Sequence, residues 1–373
     1  MSHKKRNTNL VVRILMWSNI FLAAIYLLSA YIGYINPEKC GFLALAGLSY
    51  PIFLFLMILT LPCWLILKKK YSLITVVALI ITIPQILTFS PLNYNRFWSD
   101  RSKGDFVLMT YNIFGLKNEA KQTPGEGHPS INEILKYDPD FVCLQEMGDI
   151  DHLEQRGLSK AQITLLHKRY PYMIAPDSIS IACFSKTPTE LLRVDDDKRY
   201  FSSLIYKTVI DNTTTYIFNV HLESIGLTPD DKKLYMELTS VDDNKKSLEG
   251  VRSRLMTKLS NAFKRRASQA RHIRELIDSL NSADPKANIF LCGDFNDSPY
   301  SYSYLTVKGN LHDAYTDAGI GPTYTYNANR FYFKIDQMFY KGDSIEAIST
   351  RRGNARSSDH YPLVAIFRKK TTN

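Results

Sequence analysis

The chain has 373 residues, 45% of them hydrophobic and 22% charged, with a formal net charge of +10. Only eight of its 46 Lys and Arg and one of its 36 Asp and Glu precede Leu92, which leaves a nearly balanced 38 against 35 in the rest. The excess charge therefore belongs to the N-terminal region, and the downstream part lacks the concentrated basic face of a dedicated nucleic-acid binder.

From Val11 to about Pro91 nearly every residue is apolar, and interruptions divide the region into three candidate spans. The first runs from about Ile14 to Ile35 and ends at Asn36-Pro37-Glu38-Lys39. The second runs from Phe42 to Leu67 and ends at Lys68-Lys69-Lys70, and the third from Leu73 to Phe89. A cleaved signal peptide accounts for one such segment but not for three in succession. None of them contains Asp, Glu, Lys, Arg or His, which favours a plain anchor over a transport path. Lys4-Lys5-Arg6 and the tri-lysine run flank opposite ends of the first two spans, so both belong on the cytoplasmic face. After three crossings everything from Leu92 onward lies outside, in the periplasm if the membrane is a bacterial inner membrane. The expected division is an anchor over 1–91, a linker over 92–104 and a catalytic domain over 105–373.

Downstream, β-rich apolar runs alternate with helical patterns, and run after run ends in a polar residue. Phe106 to Asn112 is a strand that ends on an amide. Ser130, with Glu133 three residues on, starts a helix that stops at Tyr137. Phe141 to Glu146 is a strand with a carboxylate at its far end; buried and unpaired, that group would be costly, so it sits at the surface or on a cation. Leu166–Tyr172 and Ile179–Ser185 supply a helix end and a strand. Phe201–Val209 and Thr215–Leu222 pair about Asp211-Asn212, and the second places His221 at its end. Ile225 to Arg265 is polar and without strand pattern, and reads as a lid or substrate-selecting loop. It leads to a helix over Ala267–Leu280, where Lys264, Arg265, Arg266, Arg271 and Arg274 read as a solvated basic face.

Ile289 to Cys292 is a strand after which Gly293 permits a turn, bringing Asp294 and Asn296 out together. Tyr332 to Tyr340 is a strand with an internal Asp336, and Ser357-Ser358-Asp359-His360 precedes the last strand, Leu363 to Phe367. The cysteines Cys40, Cys63, Cys143, Cys183 and Cys292 show no metal-ligand spacing and read as small buried hydrophobes. Asn112, Glu146, His221, Asp294, Asn296, Asp336, Asp359 and His360 thus gather at strand ends of a layered α/β sandwich with one polar cleft. Such a set, rich in oxygen and without thiolate, suits Mg²⁺, Mn²⁺ or Ca²⁺. It also suits phosphoryl chemistry, in which a metal neutralises oxygen charge and a histidine activates water.

In this order along the chain, Tyr111-Asn112, Gln145-Glu146, Asn219-Val220-His221-Leu222, Gly293-Asp294-Phe295-Asn296, Ile335-Asp336 and Ser358-Asp359-His360 resemble the endonuclease/exonuclease/phosphatase superfamily. That superfamily includes DNase-I-like nucleases, neutral sphingomyelinases and inositol polyphosphate phosphatases. The resemblance covers about Asp105 to Arg368 and implies a four-layered α/β/β/α, DNase-I-like sandwich, here preceded by a bundle of three transmembrane helices. It implies that Glu146 is the principal metal ligand, assisted by Asn112 and Asp359. His360, polarised by Asp336, would be the general base. Asp294 would orient the attacking water or a second metal, while Asn296 and His221 would contact phosphate oxygens, with His221 helping the leaving group. Two departures count against a nuclease: Lys334 where many relatives have Arg, and Gly148 where DNA-cleaving members carry one. The expectation is a membrane-anchored, metal-dependent phosphoesterase acting on a lipid headgroup or small phosphoester. The alternatives are an extracytoplasmic nuclease and a non-catalytic, membrane-tethered binding module.

Overall fold

The computed structural model describes residues 2–97, 100–117, 127–148, 150–177, 179–196, 201–225, 245–328, 332–355 and 357–370. Among these, twelve strands form two six-stranded sheets. The first sheet runs, in spatial order, β11 (Ile345–Arg352), β12 (Leu363–Lys369), β1 (Phe106–Asn112), β2 (Phe141–Gln145), β4 (Ile181–Ser185) and β3 (Tyr172–Ile174). The second runs β5 (Thr189–Asp196), β6 (Ser202–Ile210), β7 (Thr213–His221), β8 (Asn288–Asp294), β10 (Asp336–Tyr340) and β9 (His312–Asp313).

Side-chain alternation along each strand builds the layers. Phe106, Leu108, Phe141, Cys143 and Cys183 point from the first sheet at Leu204, Ile217, Phe290, Cys292 and Met338 of the second. Their neighbours Val107, Met109 and Val142 point outward and meet Ile131, Ile134 and Leu166 on helices Pro129–Tyr137 and Lys160–Arg169. On the other side Ile289 and Leu291 meet Ile273 and Ile277 of helix Lys245–Ala283 and Val307 of helix Tyr302–Lys308. Both faces of the central strands are covered, which is why their sequences are continuously apolar. The result is the α/β/β/α sandwich expected, with Cys143, Cys183 and Cys292 buried as free thiols between the sheets, whereas Cys40 and Cys63, also read as buried, are exposed on the apolar N-terminal region.

Several local expectations change. The N-cap of the helix at 130 is His128: Pro129 takes the first helical position, and His128 Nδ1 accepts from Ser130 N–H at 3.2 Å. Asp336 heads its strand instead of lying inside it. The polar stretch Ile225–Arg265 is only partly within the described residues, and from Lys245 it is the first half of an uninterrupted 39-residue helix; residues 226–244 lie outside them.

At the N-terminus, Leu10–Tyr34 and Tyr50–Leu67 are long and apolar enough to cross a bilayer. The third expected span is broken: Lys69–Ile81 and Ile83–Phe89 meet at 64°. Thr82 turns its hydroxyl back on the carbonyls of Ala78 and Leu79 at the break, and Pro84 follows in the next first turn. The structure thus holds two candidate spans, or three if the bent pair crosses as one. Pro91, the last residue of the expected anchor, and residues 92–96, expected to begin a linker, are tied to the domain. Pro91 O accepts from Gly321 N–H, Asn93 donates to the carbonyls of Thr316 and Gly319, and Arg96 pairs with Glu346 at 3.0 Å.

Candidate active site

Strand register places the functional side chains. β7 and β8 are parallel with His221 opposite Asp294, and β10 is antiparallel to β8 with Asp336 opposite the same Asp294. In the first sheet β1 and β2 are parallel with Asn112 opposite Gln145, so Glu146 emerges just beyond. β12 runs antiparallel to β1, which returns His360, three residues ahead of it, to that same edge. One end of the sandwich thereby collects residues from both sheets. Buried amides lock the two sheets together beneath it: Gln145 donates to Asn219 Oδ1 at 2.6 Å, and Asn219 Nδ2 donates to the carbonyls of Leu144 and Ala182.

Gly293 does not make the expected turn. It lies within β8 at φ +148, where a Cβ would overlap the carbonyl oxygen of Val220 and stand 2.8 Å from its carbon. The turn falls at Asn296, at φ +50, and Glu146 holds a similar left-handed backbone at φ +51. Both are strained positions for residues with side chains, and both are in the site.

Around Asp294 the contacts are close. Asn112 Nδ2 donates to Asp294 Oδ2 at 3.0 Å and to Glu146 Oε1 at 3.1 Å, while Asn112 Oδ1 accepts from Phe114 N–H. The Asn112 amide therefore turns nitrogen to the carboxylates, as a strut between them. His360 Nδ1 meets Asp336 Oδ2 at 2.9 Å, and its Nε2 faces Asp294 Oδ2 at 3.6 Å. His221 Nε2 stands 3.7 Å from Asp294 and 3.9 Å from Glu146. Asn296 spends its backbone N–H on Asp294 Oδ1 and a side-chain N–H on Leu222 O, so it buttresses the Asp294 turn.

Other residues support these and were not read as site residues from the sequence. Thr325 Oγ1 accepts from the N–H groups of Ile335 and Asp336. Ser358 accepts from His360 N–H and donates to Asn112 O, and Tyr326 sets its ring edge-on to His360 at 5.2 Å. Arg266, 1% exposed, reaches Asp297 at 3.3 Å and donates to the carbonyls of Glu223 and Asn296. It is a core residue, not part of a solvated face. Only Ser358 had a signal, its place in the Asp359-His360 motif.

Burial raises the Asp294 carboxyl, and the neighbouring Asp336 charge adds to that, against His360 and His221. Burial also raises Asp359, with Glu146 and Asp294 adding to the effect. For His360 burial opposes charge, but Asp336 and Asp294 outweigh it and lift the imidazole to about 10. His221 Nε2, Asp336 Oδ1 and Asp359 Oδ1 are buried without a hydrogen-bond partner. Orphaned polar atoms concentrated at one strained, acidic place fit a cation and a polar substrate. Asp294, Asp336 and His360 each bring a ligand atom within 4.8 Å of the others, although His360 Nδ1 is already engaged by Asp336. This buried trio shares only Asp294 with the ligand set implied by the resemblance.

The two departures have structural explanations. The Lys334 ammonium is held by Asp313 at 3.6 Å and by Gln337, beside the rings of Tyr304 and Tyr315, and is buried. Gly148 leaves room for another arginine: a Cβ there would lie 2.6 Å from the Arg156 guanidinium, which donates to Met147 O.

The fold and site together define a two-sheet hydrolase sandwich with a possible metal centre on its rim. The chain belongs to the endonuclease/exonuclease/phosphatase family, whose model matches residues 109–360. Residues 12–89 match a domain of unknown function. Similar solved structures include truncated Caenorhabditis elegans TDP2, 17% identical over 70% of this chain and 97% of its own, at a TM-score of 0.46. The human Nocturnin catalytic domain with bound sulfate is 19% identical over 73% and 97%, at 0.49. A Bacteroides thetaiotaomicron protein of the same family is 16% identical over 70% and 97%, at 0.42. A search of curated proteins finds no match.

Proposed function

We propose that the chain is a membrane-anchored, divalent-metal-dependent phosphoesterase that hydrolyses a lipid headgroup or other small phosphoester outside the cytoplasm. The observation that carries this reading is the His360–Asp336 pair facing Asp294 at the same sheet edge as Glu146 and His221. Glu146, Asp359 and Asp294 would hold the cation, which supplies positive charge to the phosphoryl oxygens and the leaving group.

The chain's own residues supply the rest. Asp336 fixes His360 through Nδ1 and stabilises its imidazolium, leaving Nε2 to take a proton from water placed near Asp294. With its pKa lifted, His360 can act as a base only when the surrounding carboxylate charge is compensated, so base function and cation binding are coupled. His221 Nε2, unpartnered, is free to donate to a phosphoryl oxygen. Asn112 keeps Glu146 and Asp294 at fixed separation.

The charge pattern supports this extracytoplasmic orientation, together with two contacts of the anchor with the domain, the pairing of Glu38 with Arg271 and that of Asn93 with the carbonyls of Thr316 and Gly319. The loop between the first two apolar helices and the chain after the third segment both meet the domain, so they lie at one end of the bundle. An odd number of crossings then puts the tri-lysine run at the other end, the cytoplasmic one. Arg156 brings positive charge against Gly148, an observation that favours testing nucleic acid as a second substrate class.

The test uses the full chain in nanodiscs, with Mg²⁺ or with EDTA, on sphingomyelin, a phosphoinositide, a small diester and plasmid DNA. Hydrolysis of one class that EDTA abolishes and His360→Gln lowers about 10²–10⁴-fold is expected. Metal-independent turnover, or full activity in His360→Gln, would overturn the assignment.

A further inference from the structure

The loop that carries the catalytic turn is held from two sides. It runs from Phe295 to Ser301, between β8 and helix Tyr302–Lys308. On the domain side Arg266 grips Asp297 and Asn296. On the other side lies the anchor. Tyr300 is 4% exposed, and its ring centroid is 4.1 Å from that of Tyr50, which stacks on Tyr26 at 5.8 Å and meets Phe89 edge-on at 6.4 Å. Tyr26 belongs to the first apolar helix, Tyr50 begins the second and Phe89 ends the third segment. One ring from each converges under one tyrosine of the catalytic loop.

Backbone contact is as close as the rings. A Cβ on Gly33 would lie 2.5 Å from Tyr300 O and 2.9 Å from Ser301 O, and one on Gly47 3.6 Å from Tyr300 O. Farther along the same interhelical loop, a Cβ on Gly41 would lie 2.7 Å from Ser260 O, and Glu38 pairs with Arg271 at 2.8 Å. A passive tether needs slack and a solvated spacer. Here three glycines bring anchor backbone against the domain, and packed aromatic surfaces of this size resist separation.

We propose that the anchor positions the active-site loop: Tyr50, with Gly33 and Gly47, sets the path of residues 295–301 through Tyr300, and so fixes Asp294 and Asn296. Tyr50 and Tyr300 are positioning residues. The consequence for catalysis rests on the site reading given above; the packing does not.

Amide hydrogen exchange on the full chain in nanodiscs tests this without reference to substrate. In Tyr50→Ala and in Gly33→Val, amides of 295–301 are expected to exchange about tenfold faster or more, with 106–112 and 141–145 unchanged within about twofold. Tyr50→Phe keeps the ring and is expected to match the wild type. Calorimetry with Mn²⁺ on the same samples should show affinity weakened about tenfold in Tyr50→Ala and restored in Tyr50→Phe. Unchanged exchange at 295–301 in both disruptive variants would overturn the proposal, as would equal acceleration at 106–112, which marks general loosening. Failure of Mn²⁺ to bind the wild type would sink the metal reading of the site, and the exchange pattern alone would then decide the role of the anchor.

Discussion

Replacing Arg266 by Met tests whether a buried ion pair holds the catalytic turn. The side chain is 1% exposed and its partner Asp297 2%. Met keeps an unbranched apolar stem but removes the guanidinium, which also lies over the Phe263 ring, and leaves Asp297 buried with serine donors, among them Ser298 N–H and Ser303 Oγ. Breaking one side of such a pair costs about 3–5 kcal/mol, or a midpoint lowered by about 6–20 °C for a domain of this size. The deficit carries a pH signature. Burial already raises the Asp297 carboxyl, Arg266 is the largest influence opposing this, and without it only serine donors offset the burial. An acid raised in the folded state binds its proton there first, so the variant loses stability as pH rises above the unfolded carboxyl value near about 4. Thermal unfolding of the full chain at pH 5 and pH 8 should therefore show a larger deficit at pH 8. Adding Asp297→Asn, which removes the stranded charge, should recover most of it. A midpoint within about 2 °C of wild type at both pH values, or a double variant no better than the single one, would refute the reasoning.

Burial lowers His128, and its Nδ1 must stay unprotonated to cap Ser130. The unfolded chain then takes the proton first, so stability is lost as pH falls below about 6.5. His128→Asn keeps an acceptor at the cap, and its unfolding midpoint should fall less than that of the wild type between pH 7.5 and pH 5.5; parallel curves would count against this. Gly293→Ala places a methyl on the Val220 carbonyl at a backbone angle that suits glycine, and should cost on the order of 4 kcal/mol, read as loss of the cooperative unfolding transition. Asn112→Asp replaces the donor between Glu146 and Asp294 by a third negative charge, so folding without metal should weaken by about 1–3 kcal/mol and EDTA should destabilise it more than the wild type.

How much was legible depended on what covers each strand. Phe106–Asn112 and Ile289–Cys292 stood out because both faces are buried, so their sequences are apolar until the polar end of the strand is near. Strand Thr189–Asp196 did not, because it is an edge strand whose Leu192 and Val194 are exposed and whose charges alternate with them. The site was legible as polar residues at strand ends, since parallel neighbours must end at the same edge. What sequence order could not supply was the closure between sheets. Asn112 meets Asp294 across 182 residues, and it is the orientation of that amide that makes it a strut. In the same way, Gly293 reads as a turn residue from its neighbours alone. Its actual reason, the close passage of Val220, exists only once β7 and β8 are paired.

The basic residues of the long helix show where a charge census misleads. Counted along the sequence, Arg266, Arg271 and Arg274 make one solvated face. In the fold each has a separate partner: Arg266 goes to Asp297 in the core, Arg271 to Glu38 of the anchor, and Arg274 to Asp278 and the carbonyls of Val307 and Lys308. Charge already matched in this way is not available to a polyanion, because engaging it would strand the present partner. The domain's usable positive charge is thus smaller than its small net excess suggests. That weakens extended backbone binding, while Arg156 keeps one guanidinium against Gly148, two residues beyond Glu146. Among the described residues, arginines matched in this way fit a compact phosphoester better than a nucleic-acid strand. The two classes separate on salt: turnover of a small ester should change little between 50 and 200 mM, whereas binding through several phosphates would fall by about 10³ or more.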